Sequence, residues 1–215
     1  MLFRSWARPD GSIGPMYGHQ LRKFNQEESA VRTSFGVDQL WWVIEGIKKD
    51  PMSRRHLMTT FNPLQVEHGV LWPCHGISIQ FNCSPMYEVA DRVWEEMKPI
   101  YYLDLHMHMR SNDLVLGGPT NITEYALLLM LVAREVNMVP RYYIHTAADM
   151  HVYVNHLEGL KEQLSREPLT LPRVEIVNKP IPFPGCPRDG SVLEPEDFKL
   201  IGYNSHALIR FDVAV

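Results

Sequence analysis

The chain has 215 residues, of which 45% are hydrophobic and 21% are charged. This composition is typical of a soluble globular protein and argues against disorder. The formal net charge of −4 disfavours general nucleic-acid binding, which depends on a basic surface. The longest apolar run, Tyr125 to Ala133, is too short to cross a bilayer. The length predicts a single domain over residues 1–215.

The first residues and the cysteines indicate a cytoplasmic protein. The N-terminus has no apolar core followed by a small-residue cleavage site, so we expect no signal peptide. Cys74, Cys83 and Cys186 are odd in number and form no CxxC pair, which predicts reduced thiols in place of a disulfide framework.

The N-terminal half begins with a predicted loop over 8–18, where glycine and proline recur. Residues 38–49 predict a helix that Asp38 can cap, because apolar residues follow it at helical spacing. Short apolar runs predict strands over 56–61 and 77–81. The segment 84–98 starts with Ser-Pro and repeats an apolar residue every four positions, which predicts a short amphipathic helix.

The C-terminal half contains the two strongest patterns. Residues 103–110 alternate strictly between apolar and polar side chains, which predicts a half-buried strand. Residues 121–137 are nearly all apolar, and Asn121 with Glu124 fits a capping box, which predicts a central helix. The remaining predictions are a buried strand over 142–146, a helix over 155–166, a strand over 174–177, a loop over 179–195 and a strand-like tail over 198–215. Together these elements favour an α+β domain.

Cys74 lies between a proline and a histidine in the sequence Leu-Trp-Pro-Cys-His-Gly. A reactive cysteine must be a thiolate, and a nearby arginine such as Arg54, Arg55 or Arg110 lowers the pKa of a thiol. A structural cysteine at the start of a strand would have the same local sequence, so both interpretations stay open.

Two groups of arginine and serine residues suit the binding of a phosphate monoester, because guanidinium groups beside hydroxyls bind phosphate oxygens. Arg54 and Arg55 follow a serine, and Arg110 precedes Ser111. The alternative is solvated surface charge.

The alternating polar groups of Asp149, His151 and Tyr153 could hold a sugar hydroxyl or form an exposed edge strand. The histidines fit no zinc spacing, so we expect no metal. Dinucleotide, P-loop and serine-hydrolase motifs are absent from the sequence.

Taken together, the motifs resemble the folate-dependent thymidylate synthase family over nearly the whole chain. The most specific are the Pro-Cys-His loop, the RSxDxxLGxPxN run from Arg110 and the DxHxYxNH run from Asp149. The other matching segments are GPMYG from Gly14, DQLWWVIEGIKKDPMSRRH from Asp38, TTFNP from Thr59, QLSREPLTLP from Gln163 and EDFKLIGYNSH from Glu196.

The resemblance implies a thymidylate synthase-like fold, with mixed sheets packed against helices and a homodimer formed through the sheets. It implies C5-methylation of a uridine nucleotide, dUMP or UMP, with 5,10-methylenetetrahydrofolate as cofactor. Cys74 matches the nucleophile that adds to C6. Tyr17 matches a tyrosine that takes part in proton removal, and His75 has a supporting role.

The resemblance also assigns the other site residues. Asn121 matches the amide that bonds uracil O4 and N3–H, where cytosine-specific relatives carry an acidic residue. Arg110 and Ser111 match phosphate ligands, and Arg54 and Arg55 match an arginine pair that the second subunit donates to the same phosphate. His151 and Tyr153 match ligands of the ribose. The positions that match cofactor and catalytic residues are Trp6, Leu71, Asp113, Gly117 and the tail ending at Val215.

Departures from the family pattern keep two other functions open. Phe3 falls where the family has a tryptophan beside the cofactor methylene, which favours a hydroxymethylase. A nucleotide-binding relative without catalysis is the third interpretation.

We expect counterparts of the family's N-terminal arginine loop and glutamate to be missing from this sequence, and the 84–98 segment to be an insertion. Short relatives of this kind act in nucleoside-antibiotic pathways such as that of polyoxin, so we expect nucleotide or antibiotic biosynthesis.

Overall fold

The computed structural model describes residues 6–26, 36–86, 100–182 and 191–213. The chain divides into two compact units, Met1–His151 and Val152–Val215. Within the described residues, no helix is long and apolar enough to cross a membrane. The single domain predicted over 1–215 stays a prediction.

The described elements alternate between helices and strands in both units. The helices are α1 Gly18–Lys23, α2 Gln39–Lys49, α3 Gly117–Glu135 and α4 Leu157–Leu164, with 3₁₀ turns at Val66–His68, Val154–His156 and Pro195–Asp197. The strands are β1 Leu57–Met58, β2 Ser78–Pro85, β3 Tyr101–Met109, β4 Asn112–Asp113, β5 Val139–Ala147, β6 Met150–His151, β7 Arg173–Ile176 and β8 Phe198–Ile201.

The first unit is built on a four-stranded sheet with the order β1-β2-β3-β5. The pairs β1–β2 and β2–β3 are antiparallel, whereas β3 and β5 are parallel. A parallel pair requires a crossover connection, and α3 provides it by packing on both strands. A mixed sheet covered by helices confirms the predicted α+β class.

The core of this unit follows the alternation of β3. Leu103, Leu105, Met107 and Met109 are each at most 1% exposed, while the side chains between them are half-buried on the opposite face. The strand prediction for this segment is therefore confirmed. On the core side, α3 buries Tyr125 and other apolar residues against the sheet.

Helix α2 begins where the sequence predicts. Asp38 is its N-cap, and the carboxylate accepts a hydrogen bond from the backbone N–H of Trp41 at 2.9 Å. The same carboxylate accepts a hydrogen bond from Arg22 Nε at 2.8 Å. The cap thus joins α1 to α2 as well as starting the helix.

The predicted start of α3 is wrong. The helix begins at Gly117, four residues before Asn121, and Asn121 is a buried residue of its second turn and not a cap. Asp113 Oδ1 accepts the backbone N–H groups of Val115 and Leu116, which shapes the turn that leads into the helix. Pro119 is tolerated because a first-turn N–H needs no intrahelical partner.

Three other segments also differ from prediction. Ser84 and Pro85 belong to β2, so a helix starting at 84 is wrong, and residues 87–98 of that predicted helix lie outside the described residues. Strand β5 is present but alternates between exposed and half-buried residues, so the prediction of a buried strand is wrong. In the tail, only Phe198–Ile201 is a strand among the described residues.

The remaining elements match in kind and differ in extent. The strand predicted over 56–61 is reduced to Leu57–Met58, and the helix predicted over 155–166 is a 3₁₀ turn followed by α4. Strand β7 lies within one residue of its prediction and pairs with β8 in the second unit.

Removing the α2 cap tests this account of the helix. We expect Asp38→Ala to lower the free energy of unfolding by about 1–2 kcal/mol, because the cap and the link to Arg22 are both lost. Asp38→Asn keeps a capping oxygen and should lose less than about 1 kcal/mol. Urea unfolding measures both; equal losses would show that the charge and not the cap is important.

Candidate active site

Cys74 lies half-buried in the loop before β2, beside the phenol of Tyr17. Tyr17 Oη is 3.4 Å from Cys74 Sγ and accepts a hydrogen bond from the Cys74 backbone N–H at 3.1 Å. One oxygen therefore contacts both the thiol and the backbone of the same residue. The structure brings together two residues that are 57 positions apart in the chain.

Tyr17 holds an unusual backbone conformation at the start of α1. Its φ is +29°, a region that residues with side chains rarely adopt and that costs energy. The preceding Met16 is buried, and the carbonyl of Tyr17 accepts the N–H of Leu21 at 2.9 Å. Burial, and then the neighbouring Cys74, raise the pKa of Tyr17, so its phenol is protonated at neutral pH.

His75, the residue after Cys74, is buried, and its ring contacts two tyrosines. Its Nδ1 lies 2.8 Å from Tyr125 Oη, and the ring stacks on Tyr17 with centroids 4.2 Å apart. Burial, with a smaller effect of His145, lowers the pKa of His75 to about 4. The imidazole is consequently neutral at neutral pH and does not supply positive charge to Cys74.

The next residue, Gly76, allows this packing. Its φ is +68°, and a Cβ at this position would collide with the hydroxyl of Tyr125 and lie 2.8 Å from Thr60 Cγ2. A larger residue would be strained by its backbone and would also push Tyr125 away from His75. The glycine after the Cys-His pair is therefore required by two independent constraints.

Arg110, directly after β3, forms hydrogen bonds with the Cys74 loop. Its Nε donates to the carbonyl of Pro73 at 2.8 Å and its Nη2 to that of Trp72 at 3.0 Å. The backbone N–H of Arg110 donates to the carbonyl of Cys74 at 2.9 Å. Three hydrogen bonds thus hold the loop, and they place a guanidinium next to the residue that carries the thiol.

The turn before α3 places Asp113, Gly117 and Asn121 close together. The carboxylate of Asp113 is fixed by two backbone amides, and Asn121 is only 7% exposed. A Cβ on Gly117 would lie 3.4 Å from Asn121 Oδ1 and 3.9 Å from the Cβ of Asp113. These contacts group three of the predicted residues at one helix end.

An open cleft of about 450 Å³ runs along one face of α3. Its lining residues are Pro119, Thr120, Thr123, Glu124 and Leu127. Glu124 Oε2 lies 4.0 Å from His75 Nε2, and burial raises the pKa of the carboxyl. Because His75 is neutral, the pair is a carboxyl facing an uncharged imidazole and not a salt bridge at neutral pH.

The predicted phosphate ligands lie near strand ends: Arg54 and Arg55 are exposed in the turn before β1, and Ser111 is half-buried between β3 and β4. Of the predicted sugar ligands, His151 lies in β6 with its Nδ1 3.7 Å from Asp149 Oδ1, and Tyr153, in the second unit, is 37% exposed. The predicted folate residues Trp6 and Leu71 are half-buried, and Val215 lies outside the described residues.

Sequence reasoning missed a polar network behind Cys74. Tyr125 stacks on Tyr143 with centroids 6.3 Å apart, and Tyr143 Oη lies 2.7 Å from His145 Nδ1. His145 Nε2 in turn lies 3.2 Å from the side-chain nitrogen of Asn112. The sequence feature that could have predicted this network is a tyrosine, Tyr125, in an otherwise apolar helix, because a buried hydroxyl needs a hydrogen-bond partner. Within the described ranges, no three His, Cys, Asp or Glu side chains group as metal ligands.

Comparison with known proteins identifies the family of this chain. The sequence model of the family described as thymidylate synthase matches residues 2–215. Thymidylate synthases of Mesoplasma florum and Mycoplasma genitalium are each 38% identical, over 95% and 98% of this chain. The human thymidylate synthase is 36% identical over 97% of it. The chain spans about three-fifths of the length of these relatives, 60–61%.

The buried His75 predicts a distinct dependence of stability on pH. Between about pH 6.5 and pH 4 the unfolded chain binds a proton at this residue that the folded chain does not, so stability falls as the pH is lowered. We expect the wild type to lose about 3 kcal/mol relative to His75→Gln across this window. Urea unfolding at several pH values measures the difference.

The matched control for the loss of an imidazole is His68→Gln, since His68 is exposed. Parallel stability curves for the wild type and His75→Gln would contradict a buried neutral imidazole.

Proposed function

The chain belongs to the thymidylate synthase family, and on that premise we propose that it converts the C5–H of dUMP to C5–CH₃. The proposed one-carbon donor is 5,10-methylenetetrahydrofolate, which makes the protein a methyltransferase of nucleotide biosynthesis. The observation that carries this proposal is the contact between the thiol of Cys74 and the phenol of Tyr17, in which the Cys74 loop is held by hydrogen bonds from Arg110.

Cys74 is the proposed nucleophile. Its thiolate forms a bond to C6 of the pyrimidine, and the electron pair of the C5–C6 double bond moves towards C5 and O4. C5 then becomes nucleophilic, which an unactivated uracil is not. The three hydrogen bonds from Arg110 support this role because they fix the loop, and a fixed thiolate needs no reorganisation before attack.

Tyr17 is the proposed carrier of the C5 proton. Because burial keeps its phenol protonated, the oxygen accepts the C5 proton as it passes its own proton to a solvent water molecule in the site. The sulfur–oxygen distance of 3.4 Å supports this role, since C5 is adjacent to the carbon that the sulfur attacks. His75 stacks on the phenol and supports its orientation.

Asn121 is the proposed reader of the base. Its amide can donate to O4 and accept from N3–H of uracil, a pattern that cytosine does not present. The same donor would stabilise negative charge that develops on O4. Burial of Asn121 supports this assignment, because a buried amide discriminates strongly against a base that leaves it unpaired.

The phosphate and the sugar are assigned to the remaining polar residues. Arg110 and Ser111 are the proposed phosphate ligands of one subunit, and the exposed Arg54 and Arg55 those of a second copy. His151 and Tyr153 are the proposed ligands of the ribose 3′-hydroxyl. We extend the proposal to UMP, since no assigned residue addresses the 2′ position.

The residues around the start of α3 fit a reduced folate. A carboxylate held in place by two amides, as Asp113 is, suits the N–H donors of a pterin edge. Gly117 leaves room beside it, and Trp6, Leu71 and the tail that ends in Val215 complete the proposed folate set. When bound, the folate supplies the carbon unit and the hydride that reduces it.

Cellular context follows from composition. Three cysteines without a disulfide pattern support a reducing, cytoplasmic location. Participation in nucleoside-antibiotic biosynthesis stays a prediction from sequence resemblance.

A hydroxymethylase is the second candidate function, favoured by Phe3 at the position where the family has a tryptophan. In that reaction water captures the exocyclic methylene and hydride is not transferred. Phe3 lies outside the described residues.

A product assay separates these functions. We expect incubation with methylenetetrahydrofolate to add a methyl group to dUMP or UMP and to leave CMP and dCMP unchanged, with dihydrofolate formed. Mass spectrometry of the nucleotide gives the result. A hydroxymethyl product with tetrahydrofolate would favour the second candidate.

The nucleophile variant Cys74→Ser is the control, and Cys83→Ser matches it for the loss of a thiol. We expect only Cys74→Ser to abolish product. Unchanged biological activity in Cys74→Ser would support the third candidate, a nucleotide-binding relative without catalysis.

A homodimer with shared sites predicts complementation. Cys74→Ser and Arg54→Ala should each be inactive alone, and a fully exchanged equal mixture should regain about one quarter of wild-type activity, because half the dimers then carry one intact site in two. Steady-state rates after subunit exchange measure this. No recovery after confirmed exchange would contradict donation of Arg54 across the interface.

A further inference from the structure

The four-stranded sheet of the first unit has an outer face, opposite the core residues of β3, on which histidines lie between exposed apolar side chains. A row of four side chains crosses its centre, one from each strand, in the order Leu57, Gln80, His106 and Ile144. The two ends of this row, Leu57 and Ile144, are 46% and 48% exposed, and the neighbouring Tyr142 is 60% exposed. Exposed apolar side chains that share one face indicate a binding surface.

A second copy of this chain is the partner that fits the outer face. The proposed function already requires two copies, because Arg54 and Arg55 act across an interface, and Arg55 lies two residues before Leu57 of the central row. Two-fold pairing brings the same surface together from both copies, so unbalanced charge on it is met by its own like. The acidic side chain of this face is balanced within each copy, since Arg141 lies 2.6 Å from Asp104.

The histidines of the outer face have no comparable counter-ion on the described strands. His106 Nε2 lies 2.8 Å from the hydroxyl of Thr146. Strand β2 places the uncharged Gln80 and Ser78 opposite His106 and His108, and β5 places Ile144 and Thr146 there. The titratable and charged groups of this face, within the described strands, are Tyr102, Asp104, His106, His108, Arg141 and Tyr142.

The carboxylate nearest to the histidines is already occupied. Both oxygens of Asp104 accept from Arg141, at 3.0 and 2.6 Å, and one of them also accepts the backbone N–H of Tyr142 at 2.9 Å. The guanidinium carbon lies 4.8 Å from the ring centroids of both Tyr102 and Tyr142, which holds it in place. A positive charge added at His106 is therefore not offset by Asp104.

We propose that His106 and His108 make the pairing of two copies through the outer face depend on pH. This inference rests on the shared-site dimer of the proposed function and adds proton control to it. Imidazole side chains are mainly neutral at pH 7.5 and mainly charged at pH 5.5. At the lower pH, the two histidines of each copy meet those of the other as like charges, which opposes association. Separated copies then lack the arginine pair that each donates to the other.

Sedimentation velocity of the full chain, over a range of protein concentrations, measures the dissociation constant of the dimer at each pH. We expect the wild type to be a dimer at pH 7.5 and its dissociation constant to rise about 10–100-fold at pH 5.5. The double variant His106→Gln/His108→Gln should change less than about threefold, because glutamine gains no charge. His68→Gln, which removes an exposed histidine outside the sheet, is the matched control and should follow the wild type.

Two further controls separate pairing from folding. Circular dichroism at pH 5.5 reports whether each protein is folded, and the buried His75 is present in the wild type and in the double variant, so its effect on stability is shared. Ile144→Asp should be monomeric at pH 7.5, since it places a charge in the central row. Ile122→Asp, at an exposed isoleucine of α3, should stay dimeric.

The outcomes distinguish this inference from the proposed function. A dimer with the same dissociation constant at both pH values, or equal weakening of the wild type and the double variant, would overturn the role of the histidines and leave the proposed function standing. A wild type that is monomeric at pH 7.5 and yet methylates dUMP would overturn this inference and the donation of Arg54 and Arg55. A dimer without methylation would count against the proposed reaction alone. If the double variant does not fold, His106→Gln decides: weakening at pH 5.5 smaller than in the wild type supports the role, and equal weakening overturns it.

Discussion

The arrangement of this site depends on the hydrogen bond between the buried ring of His75 and the hydroxyl of Tyr125. Burying an imidazole without a partner is costly, and so is burying a phenol, so each group satisfies the other. This bond fixes α3 against the Cys74 loop, and Gly76 makes the close approach possible. Tyr17 then completes the packing on the opposite face of the imidazole.

A consequence of this packing is that Cys74, the proposed nucleophile, is surrounded mainly by neutral polar groups. Burial keeps His75 uncharged and Tyr17 protonated, while the guanidinium of Arg110 is used on backbone carbonyls of the loop. A neutral imidazole and a protonated phenol orient and relay protons, but neither carries net charge to the thiol.

The features that local chemistry determines could be predicted from the sequence. Strict alternation defined β3, and the cap at Asp38 defined α2, because each depends on neighbours along the chain. The start of α3 could not be predicted, since Gly117 and Pro119 become helical only after Asp113 shapes the preceding turn.

The candidate site shows the same division. The family resemblance identified Cys74, Tyr17 and Arg110 as site residues. No local pattern in the sequence indicates that Arg110 also forms hydrogen bonds with the Cys74 loop. Tyr125 was missed because it lies within an apolar run, and its role depends on a histidine 50 residues away. The sites that sequence reasoning misses are those made by contacts between distant segments.

Those distant contacts also set the order in which the site can form. During synthesis from the N-terminus, the Cys74 loop leaves the ribosome well before Tyr125, and β5 follows later still. Until α3 has been made, the imidazole of His75 lacks its hydrogen-bond partner Tyr125. Closing such long loops costs chain entropy that local structure does not repay. The surroundings of Cys74 in the folded chain are therefore incomplete until the residues up to Tyr125 have been synthesised.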